Sequence, residues 1–247
     1  MRGWHKTLVA GLSVTALLAV WQVAGAAKAP FVSQPSRVVT AGIEIVRSGS
    51  FVRDLGISFS EFALGFGLAV AAGIPLGLLL GTFSRLRLFA DPPLLALYAT
   101  PYLALLPILV VWLGIGLASK IAAVFIGGLF PILLNSMAGV RQVDRSWVLA
   151  AQSLCATRGA VFRKVILPAA LPSILAGLRL GLSRSVLAMV VAEMYVSQAG
   201  IGNQIMRVGS AFRMDALLFY VLLVSAFGFA ATRVVSYLEQ RLWAPGK

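Results

Sequence analysis

The chain has 247 residues, of which 60% are hydrophobic and 12% are charged, and its formal net charge is +13. Soluble domains carry about 25% charged residues, so this composition excludes an ordinary soluble protein and indicates an integral membrane protein surrounded by lipid. The basic residues stand mainly at the ends of apolar segments, as in membrane proteins generally, and this pattern argues against nucleic-acid binding.

Residue types that hold metals and cofactors are scarce in this sequence. Cys155 is the only cysteine, which excludes an internal disulfide. His5 is the only histidine and has no second ligand near it, whereas a metal site needs several converging ligands. We therefore expect no metal and no cofactor. A membrane-embedded enzyme is disfavoured, because it would need a convergent acid, base or metal set.

Six apolar stretches are long enough to cross a bilayer, which takes about 20 residues of helix. They cover residues 7–27, 62–82, 92–116, 121–140, 174–196 and 216–232. An even number of spans places both termini on one side of the membrane. Lys and Arg in the short loops are more frequent on that side, which predicts that both termini are cytoplasmic.

The first apolar stretch has two interpretations. Arg2 and Lys6 precede it and Ala27-Lys28-Ala29 ends it, which is also the arrangement of a cleaved signal peptide. The apolar run is longer than the usual signal-peptide core of about 7–15 residues, which favours a retained helix.

Residues 34–53 are polar enough for water and carry apolar side chains at helical spacing. This pattern predicts a short amphipathic helix on the outer surface, beginning after Pro35 and capped by Ser36. The apolar positions are Val38, Val39, Ile43 and Val46. We expect residues 1–56 to form the N-terminal helix with this external segment, and residues 57–241 to form the main transmembrane domain.

Small residues and prolines mark the second and third stretches. Gly73, Gly77 and Gly81 share one face at a spacing of four, which lets another helix approach closely. That helix belongs either to the same subunit or to a second one. Pro101 and Pro107 predict kinks in the third stretch, because proline removes a backbone donor.

Three charged residues fall within or near the fifth stretch, where charges usually face a pore or a partner. Arg179 and Glu193 share one face of this helix, whereas Arg184 lies on the face opposite Glu193. Charges on both faces favour a central position for the helix, with protein or water on several sides. We expect these residues at the translocation path, Arg184 most of all because it is deepest. Arg179 has the alternative of extending to the cytoplasmic interface, and Glu193 that of standing at the outer mouth.

The loop at residues 141–172 is long, basic and patterned as two short helices. Residues 147–156 are mostly apolar and small, and Thr157 is placed to cap the next turn. An apolar stripe follows and ends at Leu167-Pro168, since the residue before proline disfavours helix. The stripe comprises Val161, Phe162, Val165 and Ile166. These residues alone allow either docking in a groove of a partner or lying on lipid headgroups.

The loop resembles the signature of binding-protein-dependent ABC importer permeases, which reads Glu-Ala-Ala, three residues, Gly, nine residues, Ile-x-Leu-Pro. The spacing fits throughout. The matching positions are Leu149, Ala150, Ala151, Cys155, Val165, Leu167 and Pro168. Three of them depart from the pattern: Leu149 replaces Glu, Cys155 replaces Gly and Val165 replaces Ile. Cys155 stands where the family's glycine most easily adopts a left-handed bend, at a cost of about 1–2 kcal/mol.

Further motifs resemble the nitrate, sulfonate and taurine branch of these permeases. They are Pro101-Tyr102-Leu103-Ala104-Leu105-Leu106-Pro107, Trp112-Leu113-Gly114-Ile115-Gly116, Phe130-Pro131-Ile132-Leu133-Leu134-Asn135, Ala176-Gly177-Leu178-Arg179, Val191-Ala192-Glu193-Met194 and Gly200-Ile201-Gly202. The resemblance implies an all-α type I permease fold with six transmembrane helices and a cytoplasmic coupling loop, in a bacterial inner membrane.

The same resemblance implies the function and the partners. Two copies of the permease would form the path for a small solute, an anion such as a sulfonate, taurine or nitrate. Each copy would bind an ATPase subunit through its loop, and a solute-binding protein would dock outside. The chain has no G-x-x-x-x-G-K-[ST] phosphate loop of its own. The alternative function is a non-transporting membrane anchor or assembly subunit.

Overall fold

The computed structural model describes residues 2–27 and 33–242, and this part of the chain is helical throughout apart from short connections. Eleven α-helices, one 3₁₀ turn and one π turn follow one another in the described residues. They are α1 (Arg2–Ala27), α2 (Pro35–Arg47), α3 (Ser50–Thr82), α4 (Ser84–Ala99), the 3₁₀ turn (Tyr102–Leu105), α5 (Leu106–Leu113), α6 (Leu117–Arg141), α7 (Arg145–Ser153), α8 (Arg158–Val161), the π turn (Phe162–Ile166), α9 (Leu167–Val196), α10 (Ile201–Ser210) and α11 (Met214–Leu242).

Four helical segments of the described chain are long and apolar enough to cross a membrane. They are Ser50–Thr82, Leu117–Arg141, Arg158–Val196 and Met214–Tyr237. A bent pair, Ser84–Ala99 with Tyr102–Leu113, makes a fifth if it is counted as one broken span. Within α1, the apolar part Gly11–Ala26 is shorter. The prediction of an all-helical membrane fold is confirmed, while the count of six spans stays a prediction.

The centre of the bundle is made by α3, α6 and α9, which pack closely because glycines line their contacts. A Cβ atom at Gly77 would lie 2.4 Å from the carbonyl oxygen of Leu133 and 2.6 Å from Cβ of Ser136, both in α6. Gly73 and Gly81 meet α6 in the same way. The glycine stripe therefore packs within the chain, which is the first of the two predicted alternatives.

The third apolar stretch, predicted as one span with kinks at residues 92–116, consists of two helices and the short 3₁₀ turn between them. It is broken after Thr100, and the helices on the two sides are bent by 84°. Thr100 is extended, with φ −67° and ψ 131°, as expected for a residue before proline. Pro101 thus causes the predicted bend. Pro107 lies in the first turn of α5, where proline fits without a kink.

The external segment differs from its prediction at both ends. Its helix ends at Arg47, because Gly49 adopts φ 78° and the chain then starts α3 at Ser50. The predicted cap at Ser36 is wrong, since Gln34 precedes the helix and Pro35 occupies its first turn. The predicted unit boundary at residues 56–57 falls inside α3.

The apolar stripe predicted for this segment is also only partly buried. Gly42 contacts the Phe219 ring of α11, and Val38 and Ala41 are buried with it. The remaining stripe residues, Val39, Ile43 and Val46, are exposed or nearly half-exposed.

The predicted end of the loop at Leu167-Pro168 is also wrong. The helix runs without interruption from Arg158 to Val196. Proline inside a helix clashes with the preceding turn, but here a π turn, Phe162–Ile166, lies directly before Leu167 and widens that turn. Pro168 consequently falls in the first turn of α9 and does not end the helix.

Candidate functional site

The loop end of the bundle is the end at which α3 and α6 finish and from which α7 projects. Asp144 begins α7, and its Oδ1 accepts a hydrogen bond of 2.8 Å from the Ser146 N–H. This hydrogen bond lowers the pKa of the Asp144 carboxyl group below its ordinary value. The anion also suits the positive end of the helix dipole, so Asp144 fixes where α7 starts.

A left-handed residue ends α7 at the position where the family signature has glycine. Cys155 has φ 57°, its N–H donates to the Gln152 carbonyl at 2.9 Å, and the Ala156 N–H donates to the Ala151 carbonyl at 3.1 Å. This pair of bonds is a Schellman motif, which reverses the chain after a helix. Thr157 then caps α8 as predicted, with its Oγ1 accepting from the Ala160 N–H.

The exposed surface of the loop lies on α7 and not on the predicted apolar stripe. Leu149 is 50% exposed and Ala150 is exposed, while Ala151 is only partly exposed. By contrast, Val161 is buried, and Phe162, Val165, Ile166 and Leu167 are partly buried. We name the exposed side of α7, carrying Leu149 and Ala150 with Trp147 and Leu154 at its edges, the α7 face. The stripe packs towards its own chain, whereas the α7 face is an apolar surface of the loop that is open to a partner.

Replacing Cys155 with glycine is expected to stabilise this loop. The left-handed conformation costs a residue with a Cβ atom roughly 1–2 kcal/mol, and glycine is free of that cost. Hydrogen exchange at the last amides of α7 should slow by about fivefold for a gain near 1 kcal/mol. Cys155→Ala is the matched control, because it removes the thiol and keeps the Cβ atom. Equal exchange in all three proteins would contradict the strain argument.

A small cleft lies beside α9 where the third apolar stretch is broken. It has a volume of about 170 Å³ and contains Arg184. Its other lining residues are Leu97, Tyr98, Thr100, Tyr102, Ile126, Gly127, Phe130 and Pro131. The Tyr102 ring lies 3.4 Å from where a Cβ of Gly127 would stand, so the bend at Pro101 and this glycine together bring the tyrosine to α9. The Tyr102 hydroxyl donates to the Arg184 carbonyl at 3.4 Å.

The three charged residues predicted at the path lie in three separate places. Arg184 is exposed in the cleft, and no described carboxylate lies within ion-pair distance of it. Arg179 forms an ion pair with Glu239 of α11. Glu193 is fully buried at the opposite end of α9. Of the three, only Arg184 lines the cleft.

The Glu193 carboxylate belongs to a buried polar cluster that joins α3, α9 and α10. Its Oε1 accepts from the Ser58 hydroxyl at 2.6 Å, and its Oε2 accepts from the Gly202 N–H at 2.7 Å. The same serine accepts from the Ile201 N–H at 2.8 Å. Asp54 accepts from the Gly200 N–H at 2.9 Å. These carboxylates satisfy the free N–H groups at the start of α10.

The sequence reasoning missed the partners of Glu193, although a signal for them exists. Asp54, Ser58 and Glu61 follow one another at spacings of four and three, so they share one face of a helix. All three are buried, as is Lys120 of α6, which pairs with Glu61. Polar residues at helical spacing beside an apolar stretch indicate a buried polar contact, and that spacing could have located the cluster.

Comparison with known proteins identifies the family. The profile described as binding-protein-dependent transport system inner membrane component matches residues 73–244. SsuC of Bacillus subtilis, an aliphatic sulfonates transport permease protein, is 34% identical over 243 residues, which are 97% of this chain and 87% of the relative. TauC of Escherichia coli, a taurine transport system permease protein, is 32% identical over 217 residues, 86% of this chain and 79% of the relative.

A further relative and one solved structure agree with this family. NrtB of Synechocystis, a nitrate import permease protein, is 29% identical over 243 residues, which are 95% of this chain and 88% of the relative. The inward-facing MetNI methionine ABC transporter superposes with a TM-score of 0.60 at 22% identity, covering 75% of this chain and 94% of that one. The likeness to the MetNI structure, at 22% identity, supports the fold alone. The chain therefore belongs to the binding-protein-dependent transport system inner membrane components, the multi-pass permease subunits of ABC importers, which work with a separate ATPase subunit and a binding protein.

Proposed function

We propose that this chain forms the translocation path of an ATP-driven importer for small organic or inorganic anions, in the manner of its sulfonate, taurine and nitrate relatives. The proposal that the solute is an anion rests on one observation. Arg184 is exposed in the cleft, and no described carboxylate lies close enough to neutralise it. A cation within a membrane segment costs about 2.5–3.5 kcal/mol, so its presence calls for a compensating partner. A passing sulfonate or nitrate supplies that partner.

The proposed assembly contains two copies of the chain. We propose six spans in each copy, with α1 as the first span and both termini in the cytoplasm. The loop end then faces the cytoplasm and the α10 end faces the solute-binding protein. Arg184 is the proposed path residue. Arg179 and Glu193 act on the path indirectly, since Arg179 ties α9 to α11 and Glu193 ties α9 to α10.

The proposed docking surface for the ATPase is the α7 face. Leu149 replaces the signature's glutamate there, so the contact at this position is apolar. Ala150 is small and exposed, which allows a groove of the ATPase to approach the helix closely. Ala151 serves instead to seat α7 on the second half of the loop, because α7 packs against α8 and the π turn. Cys155 supplies the left-handed bend, and Val165, Leu167 and Pro168 continue the loop into α9.

Reconstitution tests this proposal directly. Liposomes carrying the permease with its ATPase subunit are supplied with the binding protein, and uptake of labelled taurine, alkanesulfonates and nitrate is followed with and without ATP. We expect uptake of at least one of these solutes, each of which carries a sulfonate or nitrate anion, and this uptake should require ATP, the binding protein and this chain together. Anion uptake that persists in liposomes lacking this chain would favour the role of a non-transporting anchor. Uptake of none of the three solutes, with the full assembly and ATP present, would contradict the assignment to sulfonates and nitrate. Two copies of the permease that carry different tags are produced together and cross-linked. A cross-linked product that carries both tags shows that the pair is a homodimer.

A further inference from the structure

A closed group of ionisable side chains lies between α3, α6 and α9, away from the cleft. Glu61 and Glu193 are both 0% exposed, and Lys120 is 7% exposed. The Lys120 ammonium forms an ion pair with Oε1 of Glu61 and donates to the Ser197 hydroxyl at 2.9 Å. Neither Glu61 oxygen accepts a hydrogen bond from a described residue, and the ion pair with Lys120 is made by Oε1, which leaves Oε2 without a donor. A buried carboxylate oxygen without a donor is costly and calls for an explanation.

The Glu61 side chain lies next to the second buried carboxyl group, that of Glu193. The Glu61 and Glu193 carboxyl groups lie within hydrogen-bonding reach of each other. Glu193 already accepts from Ser58 and from the Gly202 N–H, so both of its oxygens have donors. Glu193 therefore has the surroundings of an ionised carboxylate at a helix N-terminus. A hydrogen atom between the two carboxyl groups, placed on Oε2 of Glu61, gives that oxygen a partner and leaves both Glu193 oxygens free to accept.

The charges in this region do not balance if every carboxyl group is ionised. Asp54, Glu61 and Glu193 would then contribute three negative charges against the single charge of Lys120, helped by about half a charge at the start of α10. Two carboxyl groups in contact and out of water do not both ionise. We propose that Glu61 and Glu193 share one proton, which Oε2 of Glu61 donates to the Glu193 carboxylate, and that this pair holds α10 against the bundle.

The remaining groups around the pair come from every helix that packs there. On α3, Asp54 is satisfied by the Gly200 N–H and by the Gln204 amide. On α11, Tyr220 interacts with Asp54 and with the exposed Arg207 and Arg213. The buried Ser119 and the nearby Ser197 carry no charge. Among the described residues of these helices, Lys120 is the cation that contacts the pair.

This arrangement gives the attachment of α10 a defined pH dependence. At low and neutral pH the pair holds its proton and the Glu61–Glu193 contact is a hydrogen bond. As the pH rises, the proton is lost and two anions face each other in a dry site. Their repulsion weakens the hold on Ser58 and on the start of α10. The stabilising contribution is therefore present on the acidic side of the transition and lost on the alkaline side.

The Glu61→Gln variant distinguishes a shared proton between Glu61 and Glu193 from an ordinary ion pair between Glu61 and Lys120. The glutamine amide donates where the proposal puts the proton, and its oxygen still accepts from Lys120, so the variant should assemble like the wild type. Infrared spectra of the wild-type permease should show the carbonyl band of a protonated carboxyl group at neutral pH. That band should disappear in Glu61→Gln and remain in Glu44→Gln, a control at an exposed glutamate of α2.

A spin label on α10 measures how firmly this helix is held against the bundle as the pH changes. In the Cys155→Ser background, Ser210→Cys offers one thiol at the exposed end of α10, and a nitroxide is attached there. The label should become more mobile with rising pH in the wild type and in Glu44→Gln, and should not respond in Glu61→Gln. A wild-type spectrum without the carboxyl band would overturn the proposal. So would a Glu61→Gln protein that fails to assemble, or one that keeps the same pH response as the wild type.

Discussion

Ala150→Glu is expected to abolish ATP-dependent uptake while leaving the permease inserted in the membrane. Ala150 is exposed on the α7 face, and in the proposed docking a glutamate there would enter the groove of the ATPase and leave a buried charge without a partner. Breaking such an interface with an unpaired charge costs about 3–5 kcal/mol, which corresponds to a loss of at least a hundredfold in affinity. Co-purification of the ATPase and uptake of the anion, measured in the same membranes, report the effect.

Gln152→Glu is the matched control for this variant. It adds the same charge to the same helix, two residues further on and at a different angle around the axis. Gln152 is also exposed, so the change itself does not disturb packing within the chain. We expect Gln152→Glu to retain most of the ATPase. If Ala150→Glu retained it equally well, docking through the α7 face would be wrong and the loop would be better explained as a helix lying on lipid headgroups.

Arg184→Ala is expected to reduce anion uptake at limiting substrate by about tenfold or more, with normal assembly. The guanidinium group lies in the cleft without a described carboxylate, so its removal takes away attraction for the anion and leaves no unpaired negative charge behind. A hydrogen bond to a charged group contributes about 1.5–3 kcal/mol, which sets the size of the effect. Initial uptake rates at several substrate concentrations measure it.

Two further variants show whether the charge of Arg184 matters for transport. Arg184→Lys keeps the charge and should retain a substantial part of the uptake. Arg179→Ala removes a cation of the same helix that is already paired with Glu239. It should affect the stability of the α9–α11 contact more than the apparent affinity for the anion. Unchanged uptake in Arg184→Ala would remove this residue from the path.

The sequence alone predicts the membrane class, the main spans and the loop, because each depends on hydrophobicity or local spacing. The glycine face of α3 and the cap at Thr157 follow from the same local rules and agree with the structure. Cys155 departs from the glycine of the family signature, yet the left-handed bend expected at that position is present in the structure.

What the sequence does not predict depends on contacts between distant segments. Pro101 and Pro168 are both prolines in apolar surroundings, yet the first breaks a helix and the second does not. Pro75, Pro131 and Pro172 also lie inside unbroken helices, so a proline in the sequence does not by itself predict where a helix breaks. Glu193 was expected near the path or at the outer mouth. Its burial depends on Ser58 of α3 and on the Gly202 N–H of α10, and the partner from α3 is 135 residues away in the chain.

The uninterrupted helix from Arg158 to Val196 has a mechanical consequence for transport. Its 39 residues correspond to about 58 Å, so one helix joins the loop end of the bundle to the end at which α10 lies. If this helix moves as a rigid rod, a tilt of about 5° imposed at the loop moves the far end by roughly 5 Å. Arg184 lies about two thirds of the way along this helix from Arg158, so a displacement of the loop also displaces the cleft.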